Sequence, residues 1–149
     1  MIQRKQSLYL LLSLAFTGIL FFINIASICG ADGIFEMRFY GLKNATPGAE
    51  STEGAVIWPL AVMCVMPALL LRMSLFLYKR RPLQMKVTGI AAALQIGLVI
   101  FLNVTHYTIV SDLDYEWTFS AYTLIPIVGA ILSILAYRGI SDDEALIRS

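Results

Sequence analysis

Charge is scarce in this chain. Lys, Arg, Asp and Glu together supply 14% of its 149 residues, against about 25% in an ordinary soluble domain. Hydrophobic residues supply 58%. A chain this short has too little interior to hide so much apolar surface. A soluble globular fold is therefore excluded, and lipid must cover the excess.

Other shortages narrow the chemistry. Histidine occurs once, at His106, so no zinc site with several histidines can form within one chain. The two cysteines, Cys29 and Cys64, form no Cys-x-x-Cys pair, which argues against a membrane thiol oxidoreductase. Cys29 closes the first apolar run. Cys64 lies about nine residues, or roughly 14 Å, into the second. A disulfide needs Cα atoms within about 7 Å, so two free thiols are expected. There is no Walker loop, no Gly-x-Ser-x-Gly and no His-Glu-x-x-His. No catalytic set, cofactor site or metal site is assigned. Asp112, Asp114 and Glu116 read as a solvated acidic loop, because calcium takes about 6–8 oxygens and this segment offers few. Internal repeats and low-complexity tracts are absent.

Four long apolar runs fill most of the chain: residues 7–29, 55–78, 87–110 and 119–137. All four meet the length of about 20 residues needed to cross roughly 30 Å of hydrocarbon. The first is too long for the ~7–15-residue core of a signal peptide, so it is expected to remain as a span. Basic residues gather at Arg4 and Lys5, at Lys79, Arg80, Arg81 and Lys86, and at Arg138. Acidic residues dominate the other connections, with Asp32, Glu36, Glu50 and Glu53 in the first and Asp112, Asp114 and Glu116 in the second. Lys and Arg mark the cytoplasmic side, so both termini are expected inside and both acidic loops outside. The expected fold is an all-α membrane protein. It is a four-transmembrane-helix up-and-down bundle forming one integral membrane domain, with room for a small extracytoplasmic β-element.

Local signals refine this expectation. Residues 112–119 alternate polar and apolar, the period of a half-buried strand. Tyr115, Trp117 and Tyr122 equally suit an interfacial aromatic belt. Ile34 to Leu42 is β-prone through Phe35, Phe39 and Tyr40. Pro82 fits the first turn of the third helix. Gly139 is read as the close of the fourth span. Ser141 with Glu144 forms a capping box that should open a new cytoplasmic helix. Pro59, Pro67 and Pro126 permit kinks.

Several stretches carry a family resemblance: the opening Met1-Ile2-Gln3-Arg4, the inner Tyr78-Lys79-Arg80-Arg81-Pro82-Leu83-Gln84, and the tail Ala136-Tyr137-Arg138-Gly139-Ile140 with Asp143 to Ser149. In these the chain resembles a bacterial membrane family catalogued as a domain of unknown function, DUF family 4293. The resemblance implies a small four-span protein of the bacterial inner membrane. It implies no catalytic residue. The matching stretches lie mostly on the expected cytoplasmic face, which points to Lys79, Arg80 and Arg81 as a candidate contact surface.

Polar residues inside the runs form the second candidate site: Arg72, Gln95, Asn24, Asn103 and His106. Such groups are costly in hydrocarbon and usually face other helices. Arg72 and Gln95 lie at similar depth and could pair, or Arg72 could reach the inner headgroups along its own stem. Ser13, Thr17 and Asn24 share one helical face, and so do Gln95 and His106, with Asn103 a turn before. Stripes of this kind usually hold helices together. The sharper reading is an outward-facing polar cavity formed by Asn24, Asn103 and His106, with Asp112 and Asp114 at its mouth. Gly129, Ser133 and Ala136 form a small-residue face suited to close packing.

Three functions remain open at this stage. One is a non-enzymatic accessory or scaffold subunit of a membrane assembly. Another is a small oligomeric transporter or channel using Arg72, Gln95, Asn103 and His106. The third is a membrane enzyme acting on a lipid or quinone through His106 and Asp112. The expected partners are membrane lipids, another membrane protein or a second copy of the chain, and nothing points to nucleic acid.

Overall fold

The computed structural model describes residues 3–30, 33–48, 53–113 and 124–148. Its order is α1 (Gln3–Ile19), β1 (Ala26–Gly30), β2 (Gly33–Arg38), β3 (Gly41–Asn44), β4 (Glu53–Val56), α2 (Trp58–Phe76), a 3₁₀ turn (Leu77–Lys79), α3 (Arg81–Leu113) and α4 (Leu124–Arg148). Among the described residues the fold is mostly helical, with four helices and one small sheet. Three stretches among the described residues are long and apolar enough to cross a membrane: Trp58–Lys79, Arg81–Thr105 and Leu124–Leu146. Helix α1, at 17 residues, is not among them. Its length is about 25 Å at 1.5 Å per residue.

The first apolar run does not form one helix. Beyond Ile19 the chain tightens through i→i+3 bonds from Leu20, Phe21 and Phe22 to Thr17, Gly18 and Ile19, a common way for a helix to end. It then enters the sheet, where the Ile25 N–H donates to the Met37 carbonyl at 2.7 Å. Ile23, Ile25 and Ile28 are β-branched and suit a pleated surface. Hydropathy alone cannot separate such a stretch from a continuing helix.

The sheet is an antiparallel meander in the order β1-β2-β3-β4. Ala26 pairs with Met37, Phe35 with Asn44, and Gly41 with Val56 through an irregular register. Gly33 has φ 133°, and a Cβ there would run into Thr46 Oγ1. That hydroxyl accepts the Ile34 N–H at 3.0 Å, so only glycine allows the approach. The sheet caps one end of the helices. Met37 is buried with Leu20, Ile25, Leu60, Cys64, Leu98 and Leu102, and Phe21 meets Phe39 edge to face at 5.0 Å. A small β-element is therefore present, built from the first connection and the tail of the first run. Of the alternating stretch 112–119, Asp112 and Leu113 end α3. The remainder lies outside the described residues, as do Tyr115, Trp117 and Tyr122.

Helix α1 packs on α2 and α4, and α3 packs on α2 and α4. The far end from the sheet is filled by Leu10, Leu71, Ala91, Ala136 and Ile140. Pro59 and Pro126 fall in the first turns of α2 and α4, where a missing N–H costs nothing. Pro67 is the internal proline of α2.

The expected stop at Gly139 does not occur, and Ser141 opens no new helix. Helix α4 runs through both to Arg148. Gly139 is absent from the glycines with positive φ. Its role is space. A Cβ there would sit 3.0 Å from Gln6 Cγ, and the Gln6 Nε2 donates to the Gly139 carbonyl and to Asp143 Oδ2, both at 2.7 Å. The polar tail that resembled a helix start is thus held to α1.

This geometry separates two glycines. Gly139→Leu is expected to cost ~1–3 kcal/mol by overpacking and to lower the thermal midpoint in mild detergent. Gly18→Ala, which meets nothing within 4 Å, should hold or raise it. Equal losses at both positions would contradict the assigned role of Gly139.

Candidate functional site

Gln95 lies where α1, α3 and α4 converge, and it is 1% exposed. Its Nε2 donates to Thr17 Oγ1 at 2.8 Å and to Ser13 Oγ at 3.2 Å. Its Oε1 accepts from Ser133 Oγ at 2.6 Å. Ser13 Oγ donates to the Gly129 carbonyl at 2.9 Å, and Thr17 Oγ1 donates to the Ser13 carbonyl at 2.8 Å. The Ser13 and Ser133 oxygens are 2.7 Å apart. Every hydroxyl proton and both amide protons of this cluster have an acceptor, so it needs no further ligand. Gly129 makes the room: a Cβ there would lie 3.2 Å from Gln95 Nε2.

Two further polar contacts tie the helices. Ser74 on α2 and Thr88 on α3 share a hydrogen bond at 2.7 Å, both fully buried. Gln6 and Asp143 join α1 to α4. None of these four was singled out as a helix contact in the sequence. The heptad step was the available signal: Gln6 stands seven residues before Ser13, and Asp143 seven after Ala136.

Among the described side chains, Arg72, Asn24 and Asn103 do not join Gln95. Arg72 is exposed on α2, whereas the amide of Gln95 is engaged by α1 and α4. Asn103 is exposed, and its Nδ2 folds back on the Val99 carbonyl at 2.7 Å. Eight residues beyond Gln95, it is turned by about 80° around the helix. Asn24 is half-buried and lies between α1 and β1, beyond the helix that carries Ser13 and Thr17. His106 and Asp112 belong to α3, but their side chains lie outside the described residues, and Asp114 lies outside them altogether.

At the opposite end, the 3₁₀ turn and Arg80 reverse the chain between α2 and α3. Arg80 leaves helical geometry at φ −118° and ψ 72°, and its N–H donates to the Leu77 carbonyl at 2.9 Å. Lys79 and Arg80 are exposed and Arg81 is half-buried. The Lys79 ammonium lies 5.9 Å from the centre of the Tyr78 ring, within cation–π range. A polar cavity of about 120 Å³ opens beside them, lined by Gln6, Ser7, Tyr78, Arg81 and Gln84. No cluster of three or more metal-ligating side chains occurs among the described residues. Cys29 is exposed and Cys64 buried, both as free thiols.

The Gln95 cluster makes a stability prediction. Gln95→Leu removes the group that joins three hydroxyls and is expected to cost ~1–3 kcal/mol. Ser133→Ala should cost less when combined with Gln95→Leu than in the wild type, by about 0.6 kcal/mol. A thermal double-mutant cycle in detergent measures the difference. Full additivity would show that the two side chains do not act together.

No curated protein matches the sequence. The family described as a domain of unknown function, DUF4293, matches residues 2–149. Essentially the whole chain is covered, and the protein belongs to this family.

Proposed function

We propose that this is a four-span protein of the bacterial inner membrane, with both termini in the cytoplasm, serving as a non-enzymatic accessory or scaffold subunit of a membrane assembly. The membrane reading is supported by an inverted distribution of polarity. Only 28%, 33% and 33% of an 18-residue apolar window in each of the three stretches is buried, while Ser13, Thr17, Ser74, Thr88, Gln95 and Ser133 are all inside. Leu69, Met73, Ile90, Ile100, Val104 and Ile131 point outward, as lipid-facing residues do. Helix α1 shares this pattern through Leu8, Leu11, Leu12 and Ile19. The apolar turn that follows it, with Phe22 90% exposed, extends its reach toward the ~30 Å of the hydrocarbon layer.

One observation carries the scaffold reading: the buried Gln95 has both amide protons and its amide oxygen engaged by neighbouring helices. A permeation path needs polar groups free to replace a solute's water. The buried polar residues instead act as interhelical ties, which leaves the exposed Lys79 and Arg80 as the surface offered to a partner. No specific observation favours the transporter or the lipid or quinone enzyme.

Affinity purification from native membranes, followed by mass spectrometry, tests the proposal. A stoichiometric partner protein is expected with the wild-type chain, and its recovery should fall at least about tenfold on neutralising Lys79, Arg80 and Arg81. Recovery of the chain alone, or of a partner indifferent to those three charges, would overturn it. An impermeant thiol reagent checks orientation first. It should reach Cys29 from outside intact cells and an Arg80→Cys variant only after the membrane is opened.

A further inference from the structure

A groove of about 380 Å³ runs between α3 and α4 on the outer surface of the helices, lined by Gly89, Ala92, Ala93, Ile96, Ile134 and Tyr137. Its volume is within the ~300–1,000 Å³ of ordinary small-molecule pockets. Gly89, Ala92, Ala93 and Ile96 follow the i, i+3, i+4, i+7 spacing of one helical face and extend for about 10 Å along the axis. The small side chains of α3 form the floor. The Tyr137 ring packs over Gly89, where a Cβ would meet it at 3.3 Å, and so closes the end nearer the inner loop.

That end carries two cations. Lys86 stands one turn before Gly89 on α3, and Arg138 follows Tyr137 on α4. Both are exposed, and neither forms a salt bridge among the described residues. An apolar trough that ends in a pair of free cations is complementary to an amphiphile with an anionic head.

A second copy of the chain fits less well. Two copies inserted in the same direction and related by a two-fold axis place equal depths face to face. Lys86 and Arg138 would then meet their own counterparts, like charge against like charge.

Building on the membrane reading above, we infer that the α3–α4 groove is a binding site for an anionic phospholipid. One acyl chain lies along Gly89, Ala92, Ala93, Ile96 and Ile134. The headgroup phosphate is held between Lys86 and Arg138, with the Tyr137 ring at the boundary between chain and head. Basic pockets between helices on the cytoplasmic side take such headgroups.

Native mass spectrometry of the full-length protein in mild detergent tests this. Phosphatidylglycerol and phosphatidylcholine with identical acyl chains serve as probes at equal concentration. The wild type should retain phosphatidylglycerol roughly thirtyfold better, the scale that two interfacial cations supply. The double variant Lys86→Gln, Arg138→Gln should lose that preference. Ala93→Trp should reduce retention of both lipids without lowering the thermal midpoint, and Ala93→Leu is the milder replacement if the Trp variant fails to fold. Equal retention of the two lipids, a preference that survives loss of both cations, or a dimer dissociated by the Ala93 variants would overturn the inference. Alkaline extraction of native membranes separates the two claims. Release of the protein would defeat the membrane reading and the lipid site together, whereas retention without lipid preference would defeat only the site.

Discussion

The amide of Gln95 is the constraint around which the helices are arranged. Inside an apolar layer a primary amide has no water to fall back on, so each of its donors and acceptors must be met by protein. Here Thr17 and Ser13 come from α1 and Ser133 from α4. That requirement fixes the rotation of three helices about their axes and their relative height. Gly129 follows from it, because any side chain there would press on the amide. The Ser74–Thr88 bond then sets α2 against α3, and Gln6 with Asp143 sets the end of α1 against α4. Each contact is individually weak, at about 0.6 kcal/mol on average inside a membrane. Their collective effect is geometric: they specify which faces meet, a matter that apolar packing in lipid leaves poorly determined.

Much of the architecture was legible in the sequence, because the apolar runs are long and the cations cluster. The helical character of the second to fourth runs followed from length alone. The tight reversal at Lys79–Arg81 followed from the short basic link between two runs, and the first-turn place of Pro82 from its missing N–H. The polar partners were partly legible too. Ser13 and Thr17 were placed on one face, and Gly129, Ser133 and Ala136 on another, and Gln95 stood out as a polar group at depth. What the residue types could not reveal was which face met which. The one-dimensional depth of Arg72 made it a candidate for Gln95, yet depth says nothing about the angle around the axis.

The misread elements share a cause. Residues 7–29 looked like one span because hydropathy is blind to the switch from helix to strand, and only the β-branched isoleucines after Phe22 hinted at it. Gly139 and Ser141 have the composition of a helix end and a helix start, but local preferences of this size yield to tertiary contacts. In this case the Gln6 side chain occupies the space a Cβ would need and binds Asp143 one turn further on. A glycine that serves close approach and a glycine that serves a left-handed turn are indistinguishable by letter.

The two ends of the molecule differ in construction. The sheet end is stapled to the helices by buried Met37 and the Phe21–Phe39 contact, and its Arg38–Glu36 pair at 3.7 Å is partly exposed, so it adds little stability. The opposite end is short, basic and open, with polar side chains around a small cavity. A packed cap on one side and an exposed charged reversal on the other accord with the accessory role proposed above.

This arrangement requires α3 to have an inner face packed on the other helices and a lipid-facing outer one. Spin labels placed singly along α3 in lipid bilayers measure this directly, through their accessibility to oxygen and to a water-soluble relaxing agent. Oxygen accessibility should peak at Ile90, Ile96, Ile100 and Val104 and fall at Ala91, Gln95, Leu98 and Leu102, with the water-soluble agent excluded from both sets. A water-soluble agent that reaches Ile96 or Ile100, or an oxygen profile with its maxima on the Gln95 face, would contradict it.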